Sequence, residues 1–174
     1  MQGNRRLFCF TAASIVMTGI LSTAVLATFV SSSSTALLRI DTRTNNGVLL
    51  SPQNTTSPTF VNLTGASVPI SIASGNRLIR ARFTAEGKCE SIIGNGCMAR
   101  IVAFSTATSA TTELDPQGGT EFNFVPPNGL AGGYAMDRSR RIGVGSYNIR
   151  VQFAAGAGSL HTLDDWHFTV ETFQ

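Results

Sequence analysis

The sequence predicts an all-β domain, an antiparallel β-sandwich of jelly-roll type with about eight strands, set behind an apolar N-terminal helix. Three observations predict it. Beyond residue 35 no stretch keeps a helical period with caps at both ends. Short runs instead alternate apolar and polar side chains and stop at Gly, Pro and Asn. These runs recur at short, even spacings without any longer repeat, which favours a sandwich over a propeller or solenoid.

The N-terminus comes first. Met1 to Arg6 is short and basic, and residues 7–30 carry no charge, no proline and a single glycine, Gly19. A basic start, an apolar run and a small-residue site make a secretory signal peptide, with cleavage expected after Val25-Leu26-Ala27. The competing reading is an uncleaved anchor, because about 20 apolar residues cross a bilayer. Thr11, Ser14, Thr18, Ser22 and Thr23 dilute the run and favour cleavage. Either way Arg5 and Arg6 stay on the near side, so the domain is expected outside the cytoplasm, secreted or in the cell envelope. Residues 1–27 are thus the signal or anchor, 28–35 a Ser-rich spacer and 36–174 the sandwich. Membrane contact is expected only through residues 7–30, if they are retained.

The strands follow in order. Ala36 to Asp41 is the first, closed by the turn residues Thr44-Asn45-Asn46-Gly47. Thr59 to Leu63 and Val68 to Ile72 are read as two strands parted by a turn at Thr64-Gly65-Ala66. In Leu78 to Glu86, Ile79, Ala81, Phe83 and Ala85 point one way and Arg80, Arg82, Thr84 and Glu86 the other. Met98 to Phe104 is apolar on both faces except at Arg100, so it should be covered on both sides. Glu121 to Val125 stops at Pro126-Pro127, and Tyr134 to Ile142 is a more charged run. Gly145 to Phe153 turns Tyr147, Ile149, Val151 and Phe153 inward. Leu163 to Thr172 does the same with Trp166, Phe168 and Val170, leaving Asp165, His167, Thr169 and Glu171 outside. The expected core is Ile79, Phe83, Ile101, Tyr147, Ile149, Val151, Trp166 and Phe168.

Charge narrows the function classes. The chain has 13 Lys and Arg against 10 Asp and Glu. Without Arg5 and Arg6 the domain is nearly neutral, which removes the main support for nucleic-acid binding. Cys9 falls in the export segment, which leaves Cys89 and Cys97 as an even pair in an oxidising compartment. They are expected to form a disulfide that clamps a hairpin made by the flanking strands. Their spacing fits neither a redox nor a zinc motif.

Chemistry-bearing groups are few. His161, Asp164, Asp165 and His167 are the metal candidates: calcium through the carboxylates, or a hydrolytic centre through His161, Asp165 and His167. The favoured account is a solvated outer strand face, with His161 in or near the loop before it and too far from His167 to share an ion. Arg138, Arg140 and Arg141 are the compact basic group, a candidate contact for an anion. Glu113, Asp115 and Glu121 are read as loop carboxylates. No G-x-S-x-G elbow and no phosphate-cradling glycine motif occur. Phe (11) outnumbers Tyr (2) and Trp (1), which favours core packing over a sugar-stacking platform. Asn54 and Asn62 fit the glycosylation sequon, which only the host decides.

The glycine-led, Tyr-bearing run 145–153 and the Asp-Trp-containing run 163–170 are similar to exported bacterial jelly-roll domains of unknown function. The resemblance covers the C-terminal two thirds, implies fold and export, and carries over no active residue. The expected function is therefore an exported, non-catalytic sandwich, without cofactor, that binds an extracellular ligand or assembles with itself. A carbohydrate-binding module, a metal-dependent hydrolase and a surface-filament subunit are the alternatives. A buried Trp166 would count against the first; convergence of His161, Asp165 and His167 would favour the second.

Overall fold

The fold is that of a computed structural model, which describes residues 36–44, 52–91, 94–117, 123–127 and 130–174. The expected signal or anchor, the spacer, the turn residues Asn45 to Gly47 and Glu121 lie outside the described residues. The rest is all-β, and no helix occurs among the described residues. The strands are β1 (Leu37–Thr44), β2 (Gln53–Thr55), β3 (Val61–Ile72), β4 (Arg77–Ser91), β5 (Cys97–Ser105), β6 (Thr111–Glu113), β7 (Asn123–Val125), β8 (Gly132–Ile142), β9 (Gly145–Ala155) and β10 (Ser159–Phe173).

They form two antiparallel sheets. The first runs β1-β10-β4-β8, with the short β2 also on β10; the second runs β3-β9-β5-β6, with β7 also on β5. Alternation dictates which side of each strand meets the other sheet. In β4, Ile79, Ala81, Phe83 and Ala85 are buried while Arg82, Thr84 and Glu86 are exposed. In β10, Trp166, Phe168 and Val170 are buried and Asp165 and His167 are not. Phe83 is the hub, with ring centroids 5.6 Å from Phe124, 6.5 Å from Trp166 and 6.4 Å from Phe168. Burying one such side chain contributes roughly 1.5–3 kcal/mol, so this cluster is a main source of stability.

Seven of the eight expected core residues are buried, and Tyr147 is only partly so. Its hydroxyl donates to the Val144 carbonyl at 3.3 Å, which holds the ring tip at the end of the sandwich. Strand β5 is covered on both sides as expected. On its outer side Val102 is 0% exposed, beneath Arg100 and Arg150, whose guanidiniums stack on Phe60 and Phe104 at 4.0 and 3.8 Å.

Two expectations change. The runs 59–63 and 68–72 belong to one strand, β3, which pairs β9 through both halves, Asn62 opposite Gln152 and Ser67 opposite Arg150. Thr64-Gly65-Ala66 makes a wide bulge rather than a turn, with Gly65 at φ 85°. The Gln53 side chain fills the interrupted ladder: its amide donates to the Thr64 carbonyl at 2.9 Å and its oxygen accepts the Thr64 N–H at 2.8 Å. The second change concerns the cysteines. The disulfide is present, with Cα atoms 5.7 Å apart, but β4 and β5 are not a hairpin. Each lies in a different sheet, so the bond crosses the sandwich. Both cysteines are fully buried, which fits a non-reducing surrounding.

Candidate functional site

The four metal candidates, His161, Asp164, Asp165 and His167, do not converge. His161 lies inside β10 rather than in a loop, opposite Cys89 on β4 and Thr55 on β2. It is 0% exposed, edge-on to Phe153 at 5.5 Å, and its Nδ1 bonds the Ala154 carbonyl at 3.0 Å. That bond requires a proton on Nδ1, so the neutral ring carries an unprotonated Nε2, which has no hydrogen-bond partner. Burial pushes the His161 pKa down to about 4, against a smaller opposing effect of the Ala154 carbonyl. His167 stands on the outer face instead, exposed, with Nδ1 3.5 Å from the Thr169 hydroxyl. Between the two histidines β10 bulges at Asp165, which takes φ 42°, and Asp164 Oδ1 accepts the Asp165 N–H at 2.9 Å. The histidines therefore face opposite sides of the sheet. Among the described residues no group of three His, Cys, Asp or Glu is placed to hold a metal.

His161 also belongs to a distinct environment. Thr55, Ser91, Ser159 and His161 are the buried polar residues among those described, and they occupy two adjoining rows beside the disulfide. Ser159 Oγ donates to the Asn95 carbonyl at 3.0 Å. This end of the sandwich is sealed and polar.

The three arginines are likewise separated. They lie on β8, where alternation sends Arg138 and Arg140 to one face and Arg141 to the other. Arg140 reaches across to the second sheet, donating to the Glu113 carbonyl at 3.0 Å and lying 3.4 Å from Asp115. Beside it Asp115 and Ser139 exchange two backbone hydrogen bonds, at 3.0 and 2.8 Å, which closes this flank between the sheets. Arg138 donates to its neighbour's carbonyl, that of Asp137. The Asp137 carboxylate is taken by Arg80 at 2.6 Å and by Arg82 at 3.0 Å, which hold it below the usual carboxylate range. Arg141 stands on the face away from Arg138 and Arg140.

The opposite flank is open. There β1 and β3 border each other without a ladder. Gln53 stitches this side only near the disulfide end. At the other end lies a cleft of about 340 Å³, at the small end of the range of ligand sites. Its apolar lining is Ile70 and Ile72, both buried, with the half-exposed Leu38 from β1. Its polar lining is Ser71 and Ser74, Thr172 from β10, and Arg39 and Arg77. Arg39 is already neutralised by Asp41, to which it donates at 2.8 Å. Arg77 has no carboxylate partner among the described residues. An apolar trough with one uncompensated cation beside it suits a molecule with an apolar body and an anionic head.

Sequence reasoning missed this cleft. Its lining comes from four strands and a turn, and Arg77 stands in the sequence as an ordinary strand-starting arginine. Trp166, which a sugar-binding platform would need exposed, is 2% exposed and packed on Phe83.

No family model and no curated protein matches the chain. Among solved structures the chain is similar to one described as "Structure of infectious bursal disease virus Gx strain", at 14% identity and a TM-score of 0.44. The likeness covers 76% of this chain and 31% of that one, so this chain spans less than a third of its length.

Proposed function

We propose that the chain is a non-catalytic binding domain, working outside the cytoplasm, that takes an amphipathic anion into the cleft between β1 and β3. The observation that carries this reading is Arg77, which has no carboxylate partner among the described residues and lies at the rim of an apolar trough. The separation of His161 from His167 speaks against the hydrolase, and the burial of Trp166 against the sugar-binding module. The buried disulfide and the basic, then apolar, N-terminus support a place in the cell envelope or outside it.

We also read the sandwich as a jelly roll. With β2 set aside and β6 and β7 counted as one interrupted strand, the eight strands run 1-8-3-6 in one sheet and 2-7-4-5 in the other. That interleaving of early and late strands supports two nested Greek keys.

Calorimetric titration with three probes tests the binding reading: decanoate, decanol and acetate. Decanoate should bind, and the two partial mimics should bind at least tenfold more weakly. Arg77→Ala should weaken decanoate at least tenfold, about 1.4 kcal/mol, as expected for loss of a charge-assisted hydrogen bond. Equal binding by Arg77→Ala, or none by the wild type, would overturn the reading.

A further inference from the structure

The strand β1, whose Leu38 and Arg39 also line the cleft, offers a second surface along its outer edge. Among the described residues nothing pairs with the edge of β1 that faces away from β10. Along that edge alternate residues present unpaired N–H and C=O groups. The strand is eight residues long, contains no proline and exposes Leu37, Leu38 and Ile40 by 49%, 49% and 54%. Its register with β10 shifts between Leu37 and Arg39, so the regular part of the edge is Arg39 to Thr44, and the other long edges are more heavily guarded. On β8, Ser139 is occupied by Asp115, and β3 carries Pro69 and its wide bulge.

Charges commonly guard an exposed edge, and β1 does carry Arg39 and Asp41. They have opposite signs, pair with each other within the chain and flank Ile40, so toward an antiparallel copy they need only exchange partners. With Ile40 opposite itself across a two-fold axis, Arg39 meets the second copy's Asp41 and Asp41 meets its Arg39. A slip of one residue sets Ile40 against a carboxylate or a guanidinium. A slip of two in the summed register sets Asp41 against Asp41, or Arg39 against Arg39. Of these neighbouring registers, one satisfies both the apolar residue and the charges.

We propose that the chain associates with a second copy of itself through an antiparallel β1–β1 pair centred on Ile40, which joins the two β1-bearing sheets into one. Cross-strand pairs of opposite charge and of apolar side chains favour that register, and like charges disfavour the others. One strand pair is a smaller contact than a standard interface, so the dimer is expected to be weak and is best read by covalent capture.

The test uses the full chain with Cys9→Ser, so that an introduced cysteine is the free thiol. Directly opposed residues of an antiparallel pair have Cα atoms about 4.5–5.5 Å apart, within reach of a disulfide. Ile40→Cys should therefore give a covalent dimer on mild oxidation, read on a non-reducing gel. Thr42→Cys, two residues off the axis, should give at least tenfold less. Adding Arg39→Asp to Ile40→Cys should lower the yield severalfold, and the exchange Arg39→Asp with Asp41→Arg should restore it. Circular dichroism of each variant would confirm the β fold, because the altered side chains stand on an edge strand. A monomeric Ile40→Cys, or equal capture at Thr42→Cys, would overturn the proposal. These gels require no ligand, so their failure would leave the decanoate titration standing, and the reverse.

Discussion

His161 shows what one residue decides in this fold. Its ring is fully buried, one nitrogen serves the Ala154 carbonyl, and the other faces no partner. Protonation would place a charge with no acceptor between the sheets. The folded pKa, about 4, lies below the ordinary value of 6.5, so the unfolded chain takes up the proton first as pH falls. Stability from this group is whole above pH 6.5 and is lost between 6.5 and 4, by about 3 kcal/mol. In urea unfolding, the advantage of the wild type over His161→Leu should shrink by about that amount between pH 7 and pH 4. A constant gap would contradict the account. Gly87 makes a steric counterpart. A Cβ there would lie 2.7 Å from Val125 and 3.2 Å from Tyr134, so Gly87→Ala should lower the unfolding free energy by roughly 1–3 kcal/mol, read by urea titration. The sequence marks neither effect, because the neighbours of both residues are set by which strands pair.

Among the elements, β4, β9 and β10 were legible, β3 was read as two strands, and of the three-residue strands β7 alone was anticipated, within residues 121–125. Strand β4 alternates along nearly its whole length, and β9 and β10 turn their Tyr, Trp and Phe inward, so period alone places them. Strands β2 and β6 have three residues each, too few for any period, and exist because β10 and β5 offer them an edge. Thr64-Gly65-Ala66 reads locally as a turn, yet β9 pairs with the strand on both sides of it and forces a bulge. The cysteines teach the same lesson. Their spacing foretold the bond, but a hairpin and a crossing between sheets look alike in sequence. Closing so short a loop stabilises by roughly 2–3 kcal/mol in the chain-entropy model, so Cys89→Ala with Cys97→Ala should lower the unfolding free energy by about that much. Denaturant titration followed by the fluorescence of Trp166 would read it, and an unchanged midpoint would contradict the role given to the bond.

At the scale of the whole molecule, the two flanks of the sandwich differ. One is closed by Asp115, Ser139 and Arg140; the other is stitched by Gln53 at one end and opens into the cleft at the other. The sequence disclosed the all-β class and the composition of the core. It could not disclose the cleft, because Leu38, Ile72, Arg77 and Thr172 meet only when β1 lies beside β10 and the sheets face each other. The pleat and the bulge of β10 send His161 and His167 to opposite faces, and His161 sits inside the strand rather than in the loop that the sequence suggested.

Amide chemical-shift mapping during a decanoate titration reads where the proposed ligand sits. Saturable shifts concentrated at residues 38–39, 70–74, 77 and 172 are expected, and their loss in Arg77→Ala. Shifts centred instead on the outer faces of the sheets, or the same shifts in Arg77→Ala, would contradict the proposed site.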